Sequence, residues 1–248
     1  VACFHDDKKF RHALALRLER AGSIPPGFFG EMTLSRGTQQ CSNFRPGFAC
    51  WMYRRFCQPG ATVLDTSTGY GGRLVGFVAS RVDGRYIGID PNVLTHEGNL
   101  SLAASLGVGD RTELHNLPVE EVDVEIVRGR CDFSFTSPPY FSKEHYSDDS
   151  TQSWVRYGHS FEAWVIGFLR PMLALTYAAL KPGCSAVVNI EDVTIKTTTY
   201  PLVQATLDTA ASVGLTHVGT ELFEMTTRVG AHQDDDVATE RVLIFTRP

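Results

Sequence analysis

From residue 61 onward, short apolar runs alternate with stretches of helical periodicity. Runs beginning near Ala61 (ATVLD), Arg85 (RYIGID), Arg111 (RTELHN), Cys131 (CDFSFTS) and Gly183 (GCSAVVNI) read as strands. Between them, Gly72–Ser80, Val93–Leu106, a short Pro118–Val124 and a long Phe161–Leu180 read as helices. The first four strand starts lie about 20–26 residues apart, the step that right-handed βαβ units need. The runs are continuously apolar rather than alternating, which suits strands covered on both faces. After a helix over Pro201–Val213, Leu215–Arg228 and Thr239–Thr246 flank the polar stretch Gly230–Asp236 and predict an antiparallel hairpin at one sheet edge. The pattern predicts an α/β domain over residues 61–248, Rossmann-like, with a mostly parallel seven-stranded sheet. Residues 1–60 read as a helical N-terminal extension, with helices over Asp6–Ala21 and Pro46–Phe56 and a Gly/Pro loop over Gly22–Gly30.

Composition narrows the class without naming a function. The chain has 248 residues, 43% of them hydrophobic and 21% charged, the balance of an ordinary globular protein. No apolar run approaches the roughly 18 residues that cross a bilayer, so no membrane is expected as a partner. Eight charged residues in the first twenty are not the pattern of a secretory signal. The six cysteines form no CxxC pair and no zinc spacing with the eight histidines. A reduced, cytoplasmic protein without a metal site is expected. Net charge is −5, which argues against an overall electrostatic grip on nucleic acid. Residues 1–60 nevertheless hold nine Lys/Arg against four acids. Arg11, Arg17, Arg54 and Arg55 could therefore line a phosphate-facing clamp or simply a solvated helical face.

The candidate chemistry sits at the carboxyl ends of the predicted strands, where ligands bind in open parallel sheets. Asp65 closes the first strand, Thr66 follows it, and Gly69, Gly71 and Gly72 form a turn that lets a ligand approach the backbone. Asp90, followed by Pro91, closes the second strand 25 residues after Asp65, where a carboxylate can accept both hydroxyls of a ribose. The turn reads G-Y-G-G-R and lacks the full GxGxxG spacing that cradles a pyrophosphate. An acidic residue before the turn suits a cationic amino group rather than a phosphate. Both features favour S-adenosylmethionine over NAD as the cofactor. The fourth strand ends in Ser137-Pro138-Pro139-Tyr140. Two prolines remove two N–H donors and present carbonyl acceptors, which a planar, delocalised amine needs before it can attack. The Ser137 hydroxyl and a proline carbonyl would accept its two hydrogens, and Tyr140 would stack on its ring.

These segments carry a resemblance. The Ser-Pro-Pro-Tyr corner, the Asp65/Gly69/Gly71 turn and Asp90 resemble the S-adenosylmethionine-dependent amino-methyltransferases that modify DNA bases at cytosine N4 or adenine N6. The resemblance spans about residues 42–192 and implies a class I methyltransferase fold. Its serine form of the corner is commonest among the cytosine-N4 enzymes. Ser42-Asn43-Phe44-Arg45-Pro46 resembles the segment packed on the methionine end of the cofactor, which makes Phe44 a candidate contact. Transfer of a methyl group to an exocyclic amine of DNA or RNA is the function so implied. Only about 24 residues separate the fourth strand from the helix at Phe161, little room for a target-recognition segment. A small-molecule, peptide or natural-product substrate therefore stands as the alternative. Phe141, Glu144 and His145 follow the corner closely enough to line the substrate slot, and Asn189, with Glu191 and Asp192, ends the fifth strand on the same edge.

Overall fold

A computed structural model describes residues 44–143, 149–158, 160–224 and 239–248. The helix Asp6–Ala21, the loop Gly22–Gly30, Ser42 and Asn43, Glu144 and His145 lie outside the described residues. A compact unit runs from Asn43 to Pro248. Helix α1 (Pro46–Phe56), expected within the N-terminal extension, is built into this unit. Its buried face, Phe48, Ala49, Met52 and Tyr53, has helical spacing, and it packs with Phe77, Phe133 and Phe135 in one core layer.

The strands β1 (Thr62–Asp65), β2 (Arg85–Ile89), β3 (Thr112–His115), β4 (Cys131–Thr136) and β5 (Leu180–Asn189) follow the predicted order, with β5 beginning before the expected Gly183. With β8 (Thr216–Glu224) and β9 (Thr239–Thr246) they form one sheet in the order β3-β2-β1-β4-β5-β9-β8. The first five strands pair in parallel, and β9 runs antiparallel to β5 and β8. This is the expected mostly parallel seven-stranded sheet with its antiparallel C-terminal hairpin. A small hairpin of β6 (Val193–Ile195) and β7 (Thr198–Tyr200), which the apolar pattern did not signal, follows β5.

Helices cover both faces. On one side α1 packs on α2 (Gly72–Ser80), and Gly76 sets their distance. A Cβ there would lie 2.5 Å from the Ala49 Cβ and 2.7 Å from the Pro46 carbonyl. The helix α3 (Val93–Ser105) begins at Asn92, whose side chain accepts the Thr95 N–H at 3.1 Å. The expected short helix at Pro118–Val124 is instead two 3₁₀ turns, Val119–Glu121 and Val124–Ile126. After the short α4 (Ser153–Tyr157), the predicted long helix divides into α5 (Phe161–Trp164), a π turn over Val165–Leu169, and α6 (Arg170–Ala179). Pro171 explains the division, because it has no N–H for the Gly167 carbonyl and its ring crowds that oxygen. The Tyr157 hydroxyl donates to that carbonyl instead, at 2.7 Å. The last helix is α7 (Leu202–Ser212). Among the described residues, no helix is long and apolar enough to cross a membrane, and Cys50, Cys57, Cys131 and Cys184 are free thiols.

Candidate functional site

The sheet order sets β1 and β4 side by side and parallel, so the glycine turn and the Ser-Pro-Pro-Tyr corner leave the same edge of neighbouring strands. The turn is held open by its own backbone. Gly69 and Gly71 have φ of +55° and +79°, a region closed to most side chains. A Cβ on Gly71 would lie 2.4 Å from Asn99 Oδ1. Asn99, buried on α3, donates through Nδ2 to the Gly69 carbonyl at 2.8 Å. It clamps the turn from outside, a role its position in a weakly amphipathic helix did not signal.

Asp90 closes β2 beside this turn. Its Oδ2 accepts the Gly69 N–H at 2.8 Å and its Oδ1 the Asn92 N–H at 3.0 Å. A carboxylate has about four lone-pair sites, so acceptor capacity remains on both oxygens for a pair of ribose hydroxyls. Burial raises the Asp90 carboxyl above its ordinary range, while the N–H groups of Asn92 and Gly69 pull it back. The native state therefore holds this proton more tightly than the unfolded chain, and the group's contribution to stability falls as pH rises through the window between the two values. Cofactor affinity is expected to change in the opposite sense. It should weaken as pH falls into a window above the ordinary carboxylate range, measured by calorimetry with S-adenosylhomocysteine from pH 8 downward.

Asp65 is arranged differently from expectation. It is fully buried, and its charge is met within the protein rather than left open for a cation. Arg73 Nε donates to Oδ2 at 2.8 Å, the Tyr86 hydroxyl to the same oxygen at 2.6 Å, and the Ser67 N–H to Oδ1 at 3.2 Å. Arg73, in the first turn of α2, is 3% exposed and also donates to the Ser67 carbonyl. Burial alone would lower its pKa, yet the charge of Asp65 carries it above the ordinary arginine value. Burial, with the charge of Asp65 added, raises both the Tyr53 and Tyr86 phenols well above their ordinary value. The predicted contact Phe44 lies with its ring centroid 4.9 Å from the Arg73 guanidinium and edge-on to Phe135 at 5.4 Å. Arg73, Tyr86 and Asn99 are the members of this site that the sequence reading missed. An arginine at the buried start of an apolar helix is the signal that would have found the first.

Thr66, immediately after β1, and Thr136, the last residue of β4, are buried, and neither Oγ1 has a hydrogen-bond partner. The register that pairs Leu64 with Ser134 makes these two the next equivalent positions along β1 and β4. Unmet buried hydroxyls at the carboxyl edge, beside a glycine turn and a carboxylate with spare lone pairs, are the features an adenosyl cofactor would use. Pro91 follows Asp90 at half-exposed depth.

In the corner itself, Ser137 and Pro139 are half-buried, Pro138 and Tyr140 buried. The Pro139 carbonyl already accepts the Phe141 N–H at 2.9 Å. Pro138 is left as the proline whose carbonyl meets no N–H among the described residues. Tyr140 is 8% exposed, and its hydroxyl accepts from Asn189 Nδ2 at 2.8 Å.

Phe141 departs from its expected substrate role. It is fully buried, with ring centroids 4.8 Å from Tyr200, 5.5 Å from Phe161 and 5.9 Å from Trp164. Its φ is +54°, a region that costs a bulky residue about 1–2 kcal/mol. The buried ring offsets that cost and fixes where the corner turns. Phe141→Ala is expected to destabilise the fold by about 3–5 kcal/mol, read from the denaturant midpoint. Asn189 is likewise fully buried, between Tyr140 and Glu240, not on an open edge. Glu191 pairs with Arg241, and Asp192 accepts the Val203 N–H at 2.9 Å at the start of α7.

Of the basic residues, Arg54 donates to the carbonyls of Ala79 and Ser80 at the end of α2. Arg55 grips Glu221 with two bonds of 2.7 Å and lies over Trp51. Both are engaged within the domain, whereas Arg11 and Arg17 lie outside the described residues. Among the described residues, no group of three or more His, Cys, Asp and Glu could hold a metal ion.

No protein-family model matches this chain, and no curated protein does. Solved structures of similar fold do. TrmN from Thermus thermophilus has a TM-score of 0.57 at 15% identity, over 82% of this chain and 49% of its own. An S-adenosylmethionine-dependent O-methyltransferase from Thermotoga maritima has 0.53 at 13% identity, over 87% and 70%. Geranyl diphosphate C-methyltransferase from Streptomyces coelicolor, solved with S-adenosylhomocysteine, has 0.53 at 12% identity, over 82% and 78%. At these identities the likeness is one of fold. The fold shared with these structures is Rossmann-like.

Proposed function

We propose that this chain is an S-adenosylmethionine-dependent methyltransferase acting on an exocyclic amine of a nucleobase in DNA or RNA, with cytosine N4 favoured and adenine N6 next. The observation that carries the reading is the Ser-Pro-Pro-Tyr corner at the carboxyl end of β4, directly beside the strand that bears the glycine turn.

The bound cofactor would supply a methyl group activated by its sulfonium. Asp90 would hold the ribose hydroxyls, while Gly69 and Gly71 leave room for the ligand against the backbone. Thr66 would offer its unmet hydroxyl on the same edge. In the corner, Pro138 and Ser137 would accept the two hydrogens of the amine, holding its lone pair toward the methyl group. Tyr140, fixed through its hydroxyl, would present a ring edge or face to a planar acceptor. Rate enhancement would come from orientation and fixed dipoles, with no covalent enzyme intermediate. Such a protein would work in the reduced cytoplasm, where the free thiols of Cys50, Cys57, Cys131 and Cys184 persist.

Incubation with labelled S-adenosylmethionine and single- or double-stranded DNA or RNA, followed by nucleoside analysis, tests the reading. N4-methylcytosine or N6-methyladenine is the expected product. The short stretch between the corner and α5 supports a second reading, a tailoring enzyme for a small molecule or peptide. Cofactor binding with no label in any nucleic acid would favour it.

A further inference from the structure

The carboxamide of Asn189 has one sense only. Its Nδ2 is 2.8 Å from Tyr140 Oη and 2.8 Å from Glu240 Oε2. Glu240 stands at the start of β9, and an ionised carboxylate only accepts, so the donor nitrogen must face it. Asn189 Oδ1 is thereby turned away from both groups. It is buried in a residue 1% exposed, and it has no hydrogen-bond partner. A buried carbonyl oxygen left unmet is costly, so its presence beside the corner calls for a donor.

The strand register indicates which donor. Thr136, the last residue of β4, pairs with Val188 on β5, and Ser137 and Asn189 are the residues that follow each of them. A serine hydroxyl has one hydrogen and two lone-pair sites. For Ser137 to accept a hydrogen from an amine, its own proton must point elsewhere. Asn189 Oδ1 can only accept, and it lies on the strand next to the serine.

We propose that Asn189 is a positioning residue whose Oδ1, unmet in this structure, takes the Ser137 hydroxyl proton when an amine enters the slot, turning the serine lone pairs toward that amine. Glu240 fixes the sense of the carboxamide, and the same Nδ2 that it anchors holds the Tyr140 hydroxyl. One amide then sets both the acceptor and the stacking ring of the slot. The inference rests on the amine-methyltransferase reading above.

The test is a mutant cycle with labelled S-adenosylmethionine and a mixed-sequence single-stranded oligodeoxynucleotide as acceptor. Ser137→Ala and Asn189→Leu should each lower kcat about 10- to 100-fold, with S-adenosylhomocysteine affinity by calorimetry within about twofold of wild type. The double variant should be no slower than Asn189→Leu alone, because Oδ1 acts through Ser137 and the hold on Tyr140 is already lost in that single variant. Glu240→Gln, which removes the constraint on the amide, should cost about 3- to 10-fold in kcat and nothing further in the Ser137→Ala background. It carries the cycle should Asn189→Leu fail to fold. Multiplicative effects of Ser137 and Asn189 or Glu240, or unchanged kcat in the Asn189 and Glu240 variants, would overturn the inference alone. A wild-type protein that binds cofactor but labels no amine would overturn the underlying reading and this inference with it.

Discussion

Asp90→Ala is expected to weaken S-adenosylmethionine binding about 100- to 1,000-fold. Hydrogen bonds to a charged group contribute roughly 1.5–3 kcal/mol each, and two ribose hydroxyls would lose their acceptor together. The variant also releases the Gly69 and Asn92 N–H groups that the carboxylate now holds, so the glycine turn loses part of its shape. Asp90→Asn should fall between, because its nitrogen would face an N–H donor. Titration calorimetry with S-adenosylhomocysteine measures the effect, and circular dichroism confirms that the sheet persists. An affinity within about threefold of wild type would remove Asp90 from the cofactor site and with it the ribose end of the proposal.

The second large effect concerns Arg73 and Asp65. Removing one member of a buried ion pair leaves the other charged in a dry site, a loss of about 3–5 kcal/mol. Arg73→Met is therefore expected to lower Tm by about 6–20 °C at roughly 2–4 °C per kcal/mol for a domain of this size. The pair replaced together, Asp65→Leu with Arg73→Met, should recover most of that loss, since burying neither charge avoids the desolvation that the pair must offset. One orphaned phenol limits the recovery: Tyr86 loses its 2.6 Å bond to Asp65. Thermal unfolding of the two variants beside the wild type decides it. A double variant as unstable as Arg73→Met would mean that the charges act separately rather than as a pair.

The two predictions separate what is often merged in an acidic glycine turn. Asp90 keeps spare acceptor capacity toward the carboxyl edge, whereas Asp65 spends its oxygens on Arg73, Tyr86 and Ser67. The acid before the turn thus anchors the first turn of α2, and the acid after β2 is the one with acceptor capacity to spare. The guanidinium lies over Phe44, so the aromatic expected to meet the cofactor is first of all a partner of the buried cation.

Residue order alone determined the alternation of strands and helices, the hairpin at the edge and the positions of the glycine turn and the proline corner. Each of these is written in local periodicity or in backbone restrictions of Gly and Pro, which act over a few residues. Tertiary structure decided everything that depends on which long-range partner a polar group finds. It turned Asp65 inward onto Arg73, made Phe141 a buried anchor with φ of +54° and joined Asn189 to Glu240 across 51 residues. It also brought α1 onto α2 through the missing side chain of Gly76. A carboxylate, an amide or an aromatic ring reads the same in a sequence whether it faces a ligand or the core. Only the packing of distant strands and helices around it fixes which.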